Sequence, residues 1–274
     1  MSFTESDVED FFDQTLEAYL SFWDSDGVLH TGYFADDADD TDYHAASDRT
    51  TEIVAADAGI DGSSNVLDVG CGCGNFLVSI ARRRGCRGAG LDLSEERIKV
   101  AREKVVGDAG LDVRFDHGSA TRMPYEGGTF SHVVSQDALF LVPDKALSHA
   151  EIHRVLRRGG ILAFSDFLQP KPEVSARARK HVFDRVRWSS GFSFLGYQTA
   201  LQEAGFEVLL ARNVTSHLAR TYRVLGRTAR ERAETTGDAA IRDWMLGFAV
   251  SCEEIQIAIG DGEFGWGIFV ARKP

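Results

Sequence analysis

The chain has 274 residues, 43% of them hydrophobic and 26% charged, with a formal net charge of −12. Those are the proportions of an ordinary folded chain long enough to bury its own core, and so anionic a surface repels phosphate, which excludes non-specific nucleic-acid binding. No apolar run reaches the length of a membrane span, Met1-Ser2-Phe3-Thr4-Glu5 has no secretory signal pattern, and four cysteines are too few for a disulfide framework.

In chain order, residues 8–22 repeat apolar residues at helical spacing (Val8, Phe11, Phe12, Leu16, Tyr19, Leu20) and predict a helix. Trp23 to Asp42, rich in aspartate, reads as a loop, and a helix follows over 44–58. Asn65-Val66-Leu67-Asp68-Val69 is a short apolar strand; glycines come next, then a helix through Phe76, Leu77, Ile80 and Ala81. Residues 86–91 form the next strand, and Ser94-Glu95-Glu96 opens a helix with an N-cap and an acidic first turn. Strands are expected at 112–116, 130–135 and 160–165, the last two separated by a helix from Asp144 to Arg158 that Gly159-Gly160 stops. Helices over 172–190 and 195–204, a strand over 206–211, a long helical region over 214–259 and a final strand over 266–271 complete the pattern. The β-α-β-α rhythm predicts a mostly parallel sheet covered on both faces. The chain reads as one domain over 1–274: an N-terminal lid segment over 1–43, a cofactor-binding core over 44–211, and insertion helices with the final strand over 212–274.

The chemistry centres on Asp68-Val69-Gly70-Cys71-Gly72-Cys73-Gly74-Asn75, placed between the first strand and its helix. Glycines there let the backbone approach a nucleotide-like ligand, and Asp92, at the end of the next strand, is placed to accept both ribose hydroxyls. The dinucleotide fingerprint needs a third glycine where this chain has Asn75. A pyrophosphate would be repelled by Asp68, whereas a cationic sulfonium with an amino group would be attracted, which favours S-adenosyl-L-methionine. Cys71 and Cys73 have no second Cys/His pair at metal-ligand spacing, so no metal is expected and the thiols are read as free, in a reducing cytoplasm.

The segments VLDVGCGCG, Leu91-Asp92-Leu93-Ser94 and Arg154-Val155-Leu156-Arg157-Arg158-Gly159-Gly160 resemble the signposts of class I S-adenosylmethionine-dependent methyltransferases. The resemblance implies a Rossmann-like α/β fold: a seven-stranded, mostly parallel sheet with helices on both faces, its last strand antiparallel, under an N-terminal helical lid. It implies that Asp68, Gly70, Cys71, Gly72 and Asn75 face the methionine part, Asp92 and Leu93 the ribose, and Ser119 and Ala120 the adenine, with Gln136 closing the pocket. Many relatives carry an acid where this chain has Ser119, whose hydroxyl can still accept a hydrogen bond.

Phe22-Trp23, His30-Thr31-Gly32-Tyr33, Ser135-Gln136-Asp137-Ala138 and Trp266-Gly267-Ile268-Phe269 further resemble the sarcosine/dimethylglycine methyltransferase group. Such an acceptor carries a carboxylate, for which Arg49, Arg185 and Arg220 are candidates. Its methylated ammonium suits aromatic faces, for which Tyr19, Trp23, Tyr33, Phe140, Trp188 and Trp266 are candidates. His30, Tyr33 or Asp137 could act as the base. The expected activity is methyl transfer to a small-molecule acceptor, N-methylation of sarcosine or dimethylglycine foremost. The alternatives are a natural-product O-, C- or N-methyltransferase, or a protein of this fold using the cofactor for another reaction. No nucleic-acid or membrane partner is expected, and assembly into a homo-oligomer is left open.

Overall fold

The structure, a computed structural model, describes residues 2–22, 27–35 and 42–274. Trp23 and the aspartates at 24, 26, 36, 37, 39 and 40 lie outside the described residues. The chain opens with helix α1 (Glu5–Phe22) and α2 (Tyr43–Asp57), the latter capped by Asp42, whose side chain accepts from Ala45 N. Strand β1 (Asn65–Val69) leads through the glycine turn into α3 (Asn75–Arg84). Strand β2 (Arg87–Asp92) leads into α4 (Glu95–Glu103), where Ser94 is the expected N-cap and accepts from Arg97 N. Strands β3 (Val113–His117) and β4 (Phe130–Gln136) follow, then α5 (Lys145–Val155), with Asp144 capping at Leu147 N, and β5 (Leu156–Leu168). The short α6 (Ala176–Ala178), α7 (Phe194–Glu203), β6 (Glu207–Asn213), α8 (Thr215–Thr235), α9 (Ala239–Gly260) and β7 (Gly265–Arg272) complete the order.

The seven strands form one sheet in the order β3-β2-β1-β4-β5-β7-β6. All pairings from β3 to β5 are parallel, and β7 runs antiparallel to both β5 and β6, as expected. Leu67, Val133, Leu162 and Phe164 are fully enclosed in the middle of the sheet. Burial of such side chains supplies about 1.5–3 kcal/mol each. The carboxyl ends of β1, β2, β3 and β4 lie side by side, and in a sheet of this kind a ligand settles in the crevice beyond them.

Three expected boundaries move, each for a tertiary reason. The helix expected to run to Arg158 stops at Val155, because Leu156 is needed in the sheet, where it pairs with Phe130 and is completely buried. Arg154, in the last turn of α5, donates to Glu151 and to the carbonyls of Met123 and Tyr125. The chain turns within β5 at Gly159, whose φ of 71° suits glycine and whose N–H donates to Lys273 O. The helix expected over 172–190 is broken into α6 and two short turns, the second ended by Arg187 at φ 61°, while Phe183 and Trp188 turn inward and stack at 4.2 Å. The region over 214–259 is two helices, parted by extended Thr236 and by Asp238, which caps α9 at Ala240 N and Ile241 N. Among the described residues, no helix is long and apolar enough to cross a membrane.

Candidate active site

The glycine turn after β1 is held to β2 by its backbone: Gly70 N and Cys71 N both donate to Leu91 O, at 2.7 and 3.1 Å. Gly70 sits at φ 73°, and a Cβ there would lie 2.3 Å from the Ala138 Cβ, so only glycine lets the turn after β4 close against it. The turn is also tied to Asp92, which accepts from Gly72 N through Oδ2 at 2.7 Å and from Ser94 N through Oδ1 at 2.9 Å. A single carboxylate therefore fixes the shape of two loops.

These loops border a cavity of about 1130 Å3, part of it continuous with solvent. All ten positions expected to hold the cofactor line it. Asp68, Gly70, Cys71 and Gly72 come from β1 and its turn, and Asn75 from the start of α3. Asp92 and Leu93 follow from β2, Ser119 and Ala120 from beyond β3, and Gln136 from β4. Asp68 is buried, its Oδ2 has no partner among the described residues, and burial, with the Asp92 charge second, pushes its carboxyl up to about 8. Burial also raises Asp92, against the opposing effects of its two backbone N–H donors and the Arg97 charge. Also lining the cavity, Gln136 Nε2 and the Nε and Nη2 of Arg97 are buried donors without partners among the described residues. Orphaned buried polar groups are costly, and this set wants a ligand with a cation for Asp68 and acceptors for Gln136 and Arg97. An amino acid joined to a nucleoside meets that description.

Of the three base candidates, His30 and Asp137 line the cavity. The His30 ring meets Ser47 O through Nε2 at 2.9 Å; a carbonyl can only accept, so Nε2 carries the proton. Asp137 has its oxygens turned to protein donors: Thr31 N at 2.6 Å on Oδ2, with Ser165 Oγ and Trp266 Nε1, both at 2.7 Å, on Oδ1. It stands at φ 50°, a left-handed conformation that these bonds sustain. Tyr33 stacks on His217 at 3.8 Å and is not among the lining residues.

The expected acceptor residues lie elsewhere among the described residues. Tyr19, Phe140 and Trp266 are buried in an aromatic cluster with Trp188, Phe183 and Phe264. Trp266 is fully enclosed, with its indole spent on Asp137, and Phe140 meets Trp188 edge-on at 5.1 Å. Arg49 donates to Tyr33 O, and Arg220 lies 5.1 Å over the Phe34 ring. Arg185 donates to His181 O and Tyr222 Oη, lies 5.8 Å over Phe248, and among the described residues has no carboxylate ion pair. Trp23 lies outside the described residues.

Sequence reasoning missed Glu5, Val8, Glu9 and Phe12 of α1 and Arg97 of α4, which also line the cavity. One signal for α1 was legible: Glu5, Glu9 and Asp13 recur every four residues and so share a helix face.

Residues 67–164 match a family model described as a methyltransferase domain. The chain is 32% identical over 163 residues to Methyltransferase GfsG of Streptomyces halstedii, a match spanning 59% of this chain and 58% of that protein. It is 31% identical over 189 residues to O-methyltransferase resE of Aspergillus sclerotiorum, covering 67% of this chain and 70% of that one. It is 29% identical over 268 residues to the sarcosine/dimethylglycine N-methyltransferase of Halorhodospira halochloris, covering 93% and 91%. Among solved structures, the cyclase SpnF superposes with a TM-score of 0.84 at 23% identity, over 100% of this chain and 97% of that one.

Proposed function

The chain belongs to the S-adenosylmethionine-dependent methyltransferases, and from that premise we propose that it methylates a small molecule with an apolar body. The supporting observation is the make-up of the cavity lining, which includes Val28, Leu29, Leu139, Leu141, Val142 and Pro143. Such a lining desolvates an apolar acceptor and gives a free amino acid little to bind.

In this reading Asp68 accepts from the ammonium of the methionine part, Asp92 from the ribose hydroxyls, and Gln136 and Arg97 donate to the ligand's acceptors. Bound S-adenosylmethionine supplies a methyl group on a positively charged sulfur, ready for in-line displacement. The chain's part is alignment and exclusion of water. His30, which lines the cavity, removes the proton of the attacking hydroxyl or amine, its ring oriented by the Nε2 bond to Ser47 O. Asp137 is a positioning residue, holding the turn after β4 against Thr31 and β7.

A second reading, N-methylation of sarcosine or dimethylglycine, draws on two observations. The relative with that activity in its name matches nearly end to end, and the half-buried Arg185 guanidinium could take an acceptor carboxylate. Incubation with methyl-labelled S-adenosylmethionine and a panel of phenols, apolar alcohols, sarcosine and dimethylglycine separates the two. Turnover of the apolar acceptors alone supports the first, and turnover of the amino acids supports the second. Binding of the cofactor with no methyl transfer to any acceptor would sink both and leave another reaction of the bound cofactor.

A further inference from the structure

Helix α1 forms a wall of the cavity, and it docks through its acidic face. Glu5 Oε1 accepts from Ser119 Oγ at 2.7 Å and from Thr121 Oγ1 at 3.0 Å. One turn on, Glu9 lies 3.4 Å from His117 Nε2, and a further turn on, Asp13 accepts from Ser94 Oγ. Between these carboxylates Val8 and Phe12 face the cavity, with the Arg97 guanidinium 4.9 Å over the Phe12 ring. All three carboxylates thus meet residues at or just beyond the carboxyl ends of β2 and β3.

We propose that Glu5 reads the adenine of the cofactor, its Oε2 accepting from the exocyclic amino group. The inference rests on S-adenosylmethionine occupying the cavity. With the ribose at Asp92, the base falls on the side of Leu93, Ser119 and Ala120, where Glu5 also lines the space. An aromatic amine taken from water needs an acceptor, and an unmet donor is costly. Ser119 Oγ is poorly free to serve: it donates to Glu5, lies 2.7 Å from Thr121 Oγ1 and accepts from Thr121 N at 3.0 Å. Those same contacts carry the demand one step outward. They fix the Glu5 carboxylate at the rim and leave its Oε2 without a partner among the described residues. A charged acceptor also makes the stronger bond. Because Glu5 belongs to α1, docking of this helix and binding of the base favour each other.

The test is a double-mutant cycle read by calorimetry, with S-adenosylhomocysteine and its analogue bearing hydrogen in place of the adenine amino group. In the unaltered protein, loss of the amino group should weaken binding about tenfold, the scale of one charge-assisted hydrogen bond. In Glu5→Ala it should matter less than about twofold, with Glu5→Gln between the two. Thermal unfolding of each variant confirms the fold. An equal penalty in Glu5→Ala and the unaltered protein overturns the assignment of Glu5 alone. If the unaltered protein binds neither compound, the cofactor reading itself fails.

Discussion

The indole N–H of Trp266 donates to Asp137 Oδ1 at 2.7 Å, joining two residues 129 positions apart. The bond fastens β7 to the turn that follows β4, beside the cavity. Trp266→Phe deletes the donor and, in this fully enclosed place, leaves part of the indole's volume unfilled. It should cost at least about 1–3 kcal/mol of unfolding free energy in denaturant titrations, the range for orphaning one side of a buried bond to a charged group. Asp137→Asn should lower stability and turnover together, since Thr31, Ser165 and Trp266 all donate to that carboxylate.

Asp92→Ala removes the proposed ribose acceptor and leaves Gly72 N and Ser94 N without their partner. Cofactor affinity should fall more than about tenfold, the scale of one charged hydrogen bond and the loop order it maintains. Calorimetry with S-adenosylhomocysteine measures it, and unchanged affinity would refute the assignment.

Asp68 gives the site a pH dependence with a definite sign. Its carboxyl is held up to about 8 by burial and then by the Asp92 charge. A bound ammonium stabilises the ionised form, so binding releases a proton wherever the free protein still holds one. Affinity should climb about tenfold per unit as pH rises toward 8 and level off above it. Asp68→Asn should bind weakly and lack that slope, and titrations of both proteins from pH 6 to pH 9 show the difference.

Gly70→Ala places a methyl group 2.3 Å from the Ala138 Cβ on a backbone at φ 73°. The left-handed conformation alone costs an L-residue about 1–2 kcal/mol. The clash adds to it by separating the glycine turn from the turn after β4. Both the melting temperature and cofactor affinity should fall, and further than in Gly72→Ala, which is also left-handed at φ 52° but whose Cβ would meet no atom within 4 Å.

Where local chemistry decides the backbone, the sequence was readable. The glycine turn, the Ser94 cap and the strand ending at Asp92 depend on residues within a few positions of one another, and all stand where their pattern places them. Leu156 illustrates the opposite case: its helical neighbours argue for helix, and pairing with Phe130 makes it strand. Trp266 reads as a candidate aromatic face for a ligand, because nothing near it in sequence reveals a partner as distant as Asp137. The acidic residues of α1 showed their periodicity but not their destination, which only the docked helix supplies.

The position of β7 between β5 and β6 also dictates an order of assembly. On the sheet side β6 has only β7 to pair with, yet β7 begins at Gly265, after both long helices have been traversed. The strands from β3 to β5 can zip along short crossovers, whereas β6 must wait for a long loop to close, an entropic cost met before any contact repays it. Packing of α8 against α9 shortens the span to be closed. The Asp137–Trp266 bond forms in that same step, so folding followed by fluorescence of a variant whose sole tryptophan is Trp266 should report the completion of the site and the docking of the sheet's far edge as one late phase.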